Sequence, residues 1–575
     1  MEKNGRLYVV ILILILLTCA LIVRLFSLQI LQHDSYKKLA DNQHLTRQIL
    51  TPKRGEIFLK DRFYGKEPSS QLFQLAMNRD WQMVYAVPKE INNREETAKL
   101  LAPMLEIDEK TLFEKINKRT DPYEPLKHKV ASDIANQIKQ LNIKGIEVIS
   151  ESWRYYPNNN LASHILGFVG FSESTDEKVG QYGIEGYYNE ELAGESGILE
   201  GKKDTQGRLM TVADNYLKPV QDGADLILTL DPNVQFFVEA KLKGMVERFN
   251  AEGGAIIIMD PRTGAIRALT NLPGFDPNNY SEVKNINIFL NPVVSSLYEP
   301  GSIFKPITMA IALEKKLLTP NTVYEDKGFV KVANTIIRNS TDTVEGVQNM
   351  TQVLEKSLNT GAVFIEQLIG KKPFKEYLEK FGFSRKTGID LDGEIRGNLS
   401  NLNTKGDVEY ATASFGQGIA ITPIELITAF GALANKGKMM KPYIVDKVIY
   451  KDGKETITKP QMISEVISPE TAEKLTEMLV SVVENGHAKR AKIPGYFIAG
   501  KTGTAQVPDP DVGGYSDKTI HSFGAFFPAY DPQFVVLLKL DNPQGIRFAE
   551  SSVVPAFKDI AQYIINYYEI SPTRK

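Results

Sequence analysis

The stretch Gly500-Lys501-Thr502-Gly503-Thr504-Ala505-Gln506 is the last of three short motifs that follow one another along the chain. Upstream lie Ser302-Ile303-Phe304-Lys305 and Ser357-Leu358-Asn359. Each motif alone is weak evidence, but in this order they read S-x-x-K, S-x-N and K-T-G. The three segments supply the parts of one acyl-transfer site: a nucleophile with its base, a proton relay and an anchor for a carboxylate.

The first motif predicts a serine nucleophile at the start of a helix. Apolar residues recur at helical spacing from Ile303 to Leu313. Pro306 is tolerated only in a first turn, so the helix begins at or just before Ser302. Ser302 and Lys305 then share one face, and a desolvated lysine can accept the serine proton. Without the other motifs, a capping serine followed by a solvated lysine would be the better interpretation.

The other two motifs predict a proton relay and a substrate-binding strand. Ser357 and Asn359 stand between two helical stretches, where polar residues often only cap helices. In an acyl-transfer site, Ser357 could pass a proton to the leaving amine and Asn359 could bind a substrate amide. Lys501 would supply a positive charge on an extended segment. The strand residues beside it are expected to bind the substrate, through hydroxyls on one face and close backbone approach: Thr502, Gly503 and Thr504.

A nucleotide-binding pattern overlaps this segment. Residues 495–502 match G-x-x-x-x-G-K-T letter for letter. That loop requires a helix directly after it, because the helix N-terminus binds the phosphates. The residues that follow are rich in glycine and proline, so we predict a strand rather than a phosphate-binding loop.

Hairpin patterns on both sides of the motifs predict the fold class. Residues 255–259 and 265–269 flank a turn, and residues 523–528 and 534–538 repeat the pattern. A last amphipathic segment covers residues 553–568. Helical segments separate the two hairpins, so we predict an α+β fold with an antiparallel sheet covered by helices.

Composition narrows the classes of function. The chain has 575 residues, enough for two to four domains, with 42% hydrophobic and 24% charged residues. A net charge of −2 without a basic stripe gives no reason to expect nucleic acid. The one cysteine and six scattered histidines provide no disulfide framework and no zinc-site spacing. We therefore predict no metal and no cofactor.

The N-terminus predicts a membrane anchor. An apolar run covers residues 7–23 and continues past Arg24 to residue 31. Lys3 and Arg6 favour a cytoplasmic location for the first six residues. No A-x-A cleavage site follows, and Cys19 lies inside the apolar run. A single-pass anchor is therefore favoured over a cleaved signal peptide or a lipid-modified cysteine.

With these motifs, the chain resembles the class B penicillin-binding proteins, the monofunctional transpeptidases of bacterial cell walls. The resemblance covers almost the full length, including the anchor and the G-K-T-G-T-A-Q stretch. Further motifs that carry it are P-x-R-G-x-I…D-R at 52–62, a G-x-x-G-x-E-x-x-Y-like run near 180–188, Y-E-P-G-S-x-x-K at 298–305, and S-F-G-Q-G at 414–418.

The resemblance implies a penicillin-binding transpeptidase fold: a five-stranded antiparallel sheet with helices on both faces, on an elongated noncatalytic pedestal. The expected order is a cytoplasmic tail (1–6), the anchor (7–31), a pedestal or dimerisation-type domain (32–222) and a transpeptidase domain (223–575). It implies that Ser302 attacks the penultimate D-alanyl carbonyl of a donor stem peptide and that an amine of a neighbouring strand resolves the acyl-enzyme. Backbone N–H groups of Ser302 and Thr504 would form the oxyanion hole.

The partners that the resemblance implies are peptidoglycan stem peptides, lipid-linked precursor strands and β-lactam antibiotics. A membrane-embedded glycan polymerase and other divisome or elongasome proteins are expected too, because no glycosyltransferase domain precedes the pedestal. The location would be the bacterial cytoplasmic membrane, with the catalytic domain outside it. Division is favoured over elongation because the pedestal is compact. His487, where the family often has Thr, and residues 63–66 depart from the family pattern and leave substrate preference open.

Two other functions fit parts of the pattern. A D,D-carboxypeptidase or β-lactamase shares the three motifs but transfers the acyl group to water, and the long pedestal and anchor argue against it. A noncatalytic β-lactam sensor would need a signalling domain before the anchor. A noncatalytic septal scaffold is expected to have lost Ser302, Lys305 or Lys501, and all three are present.

Overall fold

A computed structural model describes residues 3–34, 45–66, 71–118, 121–172, 178–202, 216–341, 343–404, 406–509 and 513–574. The chain divides into two compact units. The first contains Met1–Lys53 and Gly194–Gly223, and the second contains Arg54–Ala193 and Ala224–Lys575.

The first unit contains the apolar N-terminal helix. An α-helix over Lys3–Phe26 continues as a π-helical turn over Ser27–Leu31. Leu7–Leu31 has a mean hydropathy of 3.1 and is the one helix in the described part of the chain that is long and apolar enough to cross a membrane. Among the described residues, none buries this helix. The unit also has a three-stranded antiparallel sheet formed by Leu45–Leu50, Gly197–Lys202 and Tyr216–Lys218.

The second unit is built around a five-stranded antiparallel sheet. The hairpin patterns predict an antiparallel sheet, and the resemblance implies its five strands. Its strands are β1 (Gly253–Met259), β2 (Ile266–Leu272), β3 (Ala499–Pro508), β4 (Tyr515–Phe527) and β5 (Phe534–Asp541), in the order β2-β1-β5-β4-β3. Every neighbouring pair is antiparallel. The K-T-G segment therefore lies on β3, the edge strand.

Helices cover both faces of this sheet, as predicted. Phe523 and Gly524 are neighbours on β4 and point to opposite faces. The Phe523 ring lies 4.9 Å from the Phe557 ring of the C-terminal helix. On the other face, a Cβ on Gly524 would lie 2.9 Å from Phe430. The main helices of the unit are α1 (Pro232–Arg248), α2 (Lys305–Glu314), α3 (Met350–Glu355), α4 (Asn359–Ile369), α5 (Pro423–Ala434), α6 (Pro469–Glu484) and α7 (Ala549–Tyr567).

Smaller elements surround the main helices. Three short antiparallel pairs are Val323–Asp326 with Gly346–Asn349, Phe329–Val332 with Thr335–Arg338, and Lys438–Met440 with Met462–Glu465. Further α-helices are Pro292–Ser295, Lys371–Lys380 and Asp407–Ala413. Single 3₁₀ turns are Pro277–Glu282, Ile286–Phe289, Gly301–Phe304, Ser400–Asn403 and Lys489–Ala491.

A second, seven-stranded sheet contains residues from both sides of the predicted domain boundary at residue 222. Asp225–Leu228 pairs in parallel with Ile57–Leu59 and antiparallel with Val445–Ile449. The sheet continues on one side to Glu455–Ile457 and on the other to Phe73–Ala86, which pairs with Glu124–Val130 and Ile146–Tyr155. The boundary itself stays a prediction.

Between Phe73–Ala86 and Asp225–Leu228, the second unit also contains several helices and one short hairpin. Arg94–Leu105, Glu109–Ile116 and Ser132–Gln140 form a separate apolar core with the strand ends. The hairpin pairs Phe168–Phe171 with Lys178–Gln181. Short α-helices are Ser163–Leu166, Gly183–Tyr187 and Asn189–Ala193. One 3₁₀ turn is Pro88–Glu90.

Three segments of the predicted pedestal meet in a buried ion-pair cluster. The sequence contains no catalytic motif in these segments. Glu185 is fully buried, and its carboxylate accepts from Nε of Arg54 at 2.6 Å and of Arg154 at 2.5 Å. Arg154 also donates to the Gly55 carbonyl at 2.7 Å. Burial alone would raise the pKa of Glu185, but the two guanidinium groups outweigh it and hold that pKa below its usual value. The carboxylate is therefore charged and fixes three chain segments to one another.

Replacing Glu185 with alanine is expected to destabilise the protein strongly. Two arginines would be left buried without a counter-charge, which typically costs about 3–5 kcal/mol. The thermal unfolding midpoint of the variant should fall clearly below that of the unmodified protein. Glu190→Ala removes the same charge from an exposed position five residues later and serves as the control. Equal midpoints for both variants would contradict a structural role for the cluster.

Candidate active site

Ser302 lies in a 3₁₀ turn that continues directly into α2. The turn covers Gly301–Phe304, and Pro306 lies in the first turn of α2, as the sequence predicts. The turn packs tightly on β3: a Cβ on Gly503 would lie 3.0 Å from the Pro300 carbonyl. Gly503 was expected to admit a ligand backbone. In the structure, its missing side chain also admits the backbone directly before the nucleophile turn.

Lys305 is fully buried and contacts the second motif. Its Nζ donates to the Ser357 carbonyl and to Asn359 Oδ1 at 2.9 Å, and it lies 3.3 Å from Ser357 Oγ. Burial, with the nearby Lys501 ammonium, holds the pKa of Lys305 well below its usual value. This environment favours the neutral amine, the form that can accept a proton from a serine hydroxyl.

Lys501 approaches the same serine from β3. Its Nζ donates to Ser357 Oγ at 2.9 Å and to the Thr502 carbonyl at 3.1 Å. The side chain is fully buried, and burial lowers the pKa of Lys501 to about 7. The Ser357 hydroxyl thus bridges the two lysines. This geometry suits a group that passes a proton between them and a ligand.

The backbone of Ser357 is held in an uncommon conformation. It lies between α3 and α4, as predicted, with φ of +56°. A non-glycine residue in this left-handed region typically costs about 1–2 kcal/mol. The neighbouring Asn359 is fixed by its backbone N–H, which donates to Asn339 Oδ1, and by its Nδ2, which donates to the Arg338 carbonyl, both at 2.9 Å. These bonds hold the strained turn in place against the lysines.

The three motifs surround a cavity of about 510 Å³, a size typical of ligand sites. Thr502 and Thr504 line it together, as the strand period predicts. Thr504 Oγ1 accepts a hydrogen bond from the Ala549 N–H at 3.1 Å, so the hydroxyl proton is available to a ligand. The other lining residues are Gly301, Ser302, Arg338, Asn339, Ser340, Thr341, Ser357, Asn359, Phe415, Gln417, His487, Gln506, Thr519, Arg547, Phe548, Ala549 and Glu550.

Several cavity residues were not identified from the sequence. His487, noted only as a departure from the family pattern, lies on the wall with its Nδ1 3.3 Å from Glu550 Oε2. Arg338 and Arg547 also line the cavity. Glu550 and His487 are far apart in sequence, so no local pattern indicates that they meet.

The segment that matches the phosphate-binding pattern is a strand. Gly500, Lys501 and Thr502 pair with Ala525, Gly524 and Phe523 of β4, and the strand continues to Pro508. A helix after Thr502, which a phosphate-binding loop requires, is replaced by this strand. The prediction of a strand is confirmed.

The chain is similar to known proteins over almost its whole length. Residues 254–562 match the family model of the penicillin binding protein transpeptidase domain, and residues 49–228 match that of the penicillin-binding protein dimerisation domain. Stage V sporulation protein D of Bacillus subtilis is 35% identical over 96% of this chain and 84% of its own length. The probable peptidoglycan D,D-transpeptidase PenA of Neisseria gonorrhoeae is 28% identical, over 100% of this chain and 94% of its own.

A solved structure shares the fold. Penicillin binding protein 2X from Streptococcus thermophilus superposes with a TM-score of 0.73 at 23% identity. The alignment covers 92% of this chain and 81% of that protein.

Proposed function

Because the chain belongs to the family of penicillin-binding protein transpeptidases, we propose that it is a peptidoglycan D,D-transpeptidase with Ser302 as its nucleophile. One observation carries the proposal. The Ser357 hydroxyl lies 3.3 Å from Lys305 Nζ and 2.9 Å from Lys501 Nζ, at the wall of the cavity that Ser302 lines. Two buried amines on either side of one hydroxyl can transfer protons through that hydroxyl to and from a ligand.

In the acylation step, the Ser302 oxygen attacks the penultimate D-alanyl carbonyl of a donor stem peptide. Lys305 takes the serine proton, and the carbonyl oxygen becomes an oxyanion held by the backbone N–H groups of Ser302 and Thr504. The C–N bond to the terminal D-alanine then breaks. Ser357 gives its hydroxyl proton to the leaving amine and regains one from Lys305. D-Alanine departs with a neutral amine, Lys305 is neutral again, and an ester remains on Ser302.

In the second step, an amine of a neighbouring stem peptide attacks the ester carbonyl. The amine loses a proton to Lys305 through the same relay, and the C–O bond to Ser302 breaks as the serine oxygen regains its proton. A new amide links the two peptides. β-Lactams acylate Ser302 in the same way, but the nitrogen expelled when the ring opens stays covalently attached to the acyl group and obstructs the acceptor amine.

The test uses the full chain in detergent with a fluorescent penicillin, then with a donor stem pentapeptide and an acceptor stem peptide. Stoichiometric labelling and a cross-linked dimer with release of one D-alanine per link are expected. D-Alanine release without dimer would favour the carboxypeptidase alternative. Absence of both labelling and release would favour a noncatalytic protein.

The N-terminal helix supports a location at the bacterial cytoplasmic membrane. We propose that residues 7–31 anchor the chain, with residues 1–6 in the cytoplasm and the pedestal (32–222) and transpeptidase domain (223–575) outside. A membrane-embedded glycan polymerase would supply the lipid-linked strands whose peptides are cross-linked. We favour a role in division over elongation. The location of a fluorescent fusion, at the septum or along the side wall, tests that choice.

Replacing Thr504 with valine is expected to slow acylation by penicillin, because the variant keeps the β-branched shape but loses the hydroxyl. A lost hydrogen bond to a charged group typically amounts to about 1.5–3 kcal/mol. The substitution also leaves the Ala549 N–H without its acceptor. A penicillin ester, which lacks the carboxylate, separates the two effects, since only the carboxylate contact distinguishes acid from ester. Equal losses for acid and ester would show that Thr504 does not contact the carboxylate.

A further inference from the structure

Lys501, which was expected to supply a positive charge for the ligand carboxylate, has its amine bonded to groups of the protein itself. Its side chain is fully buried and does not line the cavity, and its Nζ donates to Ser357 and to its own strand. A donor peptide ends in a carboxylate, which the cavity must hold for the adjacent carbonyl to reach Ser302. A cation on the cavity wall itself would supply a direct counter-charge for that carboxylate.

Arg547 is in the right place to supply that charge. It is exposed, lines the cavity and lies two residues before Ala549, whose N–H donates to Thr504 Oγ1 at 3.1 Å. This bond brings the start of α7 against the hydroxyl face of β3. The Arg547 guanidinium stands 4.9 Å from the ring centroid of Phe548. Among the residues that the structure describes, no acidic side chain lies within ion-pair distance of it.

The neighbouring carboxylate already has a different partner. Glu550 is the one acidic residue among the described residues that line the cavity. Its Oε2 lies 3.3 Å from His487 Nδ1, on the segment that follows α6. His487 is held there by its backbone N–H, which donates to the Glu355 carbonyl at 3.1 Å. The pairing directs Glu550 towards His487, so Arg547 remains available to a ligand.

We propose that Arg547 binds the terminal carboxylate of the donor peptide, and the matching carboxylate of β-lactams, together with the hydroxyls of Thr502 and Thr504. This inference rests on the proposed function and adds a specificity-determining residue to it. Lys501 then acts on Ser357 rather than on the ligand. A guanidinium can bind both carboxylate oxygens at once, so it orients the end of the peptide as well as balancing its negative charge.

The test compares acylation rates for benzylpenicillin and its methyl ester on the full chain and its variants. Arg547→Gln is expected to slow acylation by the acid about 10- to 100-fold, the range for a lost charge-assisted hydrogen bond, and to change the ester rate less than about threefold. Arg547→Lys keeps the charge without the planar fork, so an intermediate loss is expected.

Arg338→Gln provides a matched control, since Arg338 is an arginine on another part of the same cavity wall. Its ratio of acid to ester rates is expected to equal that of the unmodified protein. Equal losses for acid and ester in Arg547→Gln, or an equal fall of the ratio in Arg338→Gln, would overturn the inference. Either result leaves penicillin labelling of the unmodified protein intact, whereas absence of that labelling would overturn the proposed function as well.

Discussion

Ser302→Ala is expected to abolish covalent labelling by a fluorescent penicillin. The acyl-enzyme bond forms on the Ser302 oxygen, and the variant has no oxygen at that position. Loss of a serine nucleophile in comparable acyl-transfer sites removes about 10⁶-fold of the rate. The substitution deletes one hydroxyl at a partly exposed position, so the thermal unfolding midpoint should remain close to that of the unmodified protein.

Ser340→Ala is the matched control for this variant, because Ser340 is another serine on the wall of the same cavity. It is expected to retain stoichiometric labelling. Labelling that persists in Ser302→Ala, or disappears in Ser340→Ala alone, would remove Ser302 from the role of nucleophile.

Lys305→Met is expected to slow acylation by about 10²–10⁴-fold, the usual contribution of a positioned general base. Methionine is preferable to alanine here because Lys305 is fully buried, and alanine would leave a cavity beside Ser357. Acylation rates under single-turnover conditions measure the effect. A rate near that of the unmodified protein would place the base elsewhere.

The pH profile separates the role of Lys305 from a purely structural one. Because burial and the neighbouring Lys501 hold the pKa of Lys305 well below its usual value, its amine becomes neutral at a lower pH than the amine of an exposed lysine. Acylation should therefore fall only as the pH drops through that lowered value, since a protonated amine accepts no proton. Above about pH 7, Lys501 loses its charge beside Ser357, which predicts a second decline on the basic side. Lys305→Met should lose the acidic decline and keep the basic one.

Local patterns predicted the elements of the site well. The edge strand follows from the extended segment around the K-T-G motif, and Pro306 locates the start of the nucleophile helix. The alternation of side chains along the strand also determines the direction of the Lys501 side chain. Alternation places Thr502 and Thr504 on one face, so Lys501 projects to the other side. Its contact with Ser357 was thus compatible with the sequence, although a direct role in ligand binding was expected.

The sequence patterns did not predict the long-range contacts. Glu185 meets Arg54 and Arg154 across separations of 131 and 31 residues. The pairing of His487 with Glu550 joins the segment after α6 to the first turn of α7, and the two share no periodic signal. The seven-stranded sheet joins residues 57–59 to 225–228, so a boundary drawn from composition near residue 222 falls next to a shared sheet. Such contacts depend on tertiary packing, and a short stretch of sequence does not specify which distant residues meet.

The proposed function depends on the transfer of an acyl group from Ser302 to an amine. The most direct measurement is intact-protein mass spectrometry, with peptide mapping, of the full chain quenched during turnover of a donor stem pentapeptide. We expect an adduct equal in mass to the donor minus one D-alanine, located on Ser302. It should be cleared faster as acceptor amine is added, with cross-linked dimer as product. An adduct on another residue, or one whose clearance yields only hydrolysed peptide at every acceptor concentration, would contradict it.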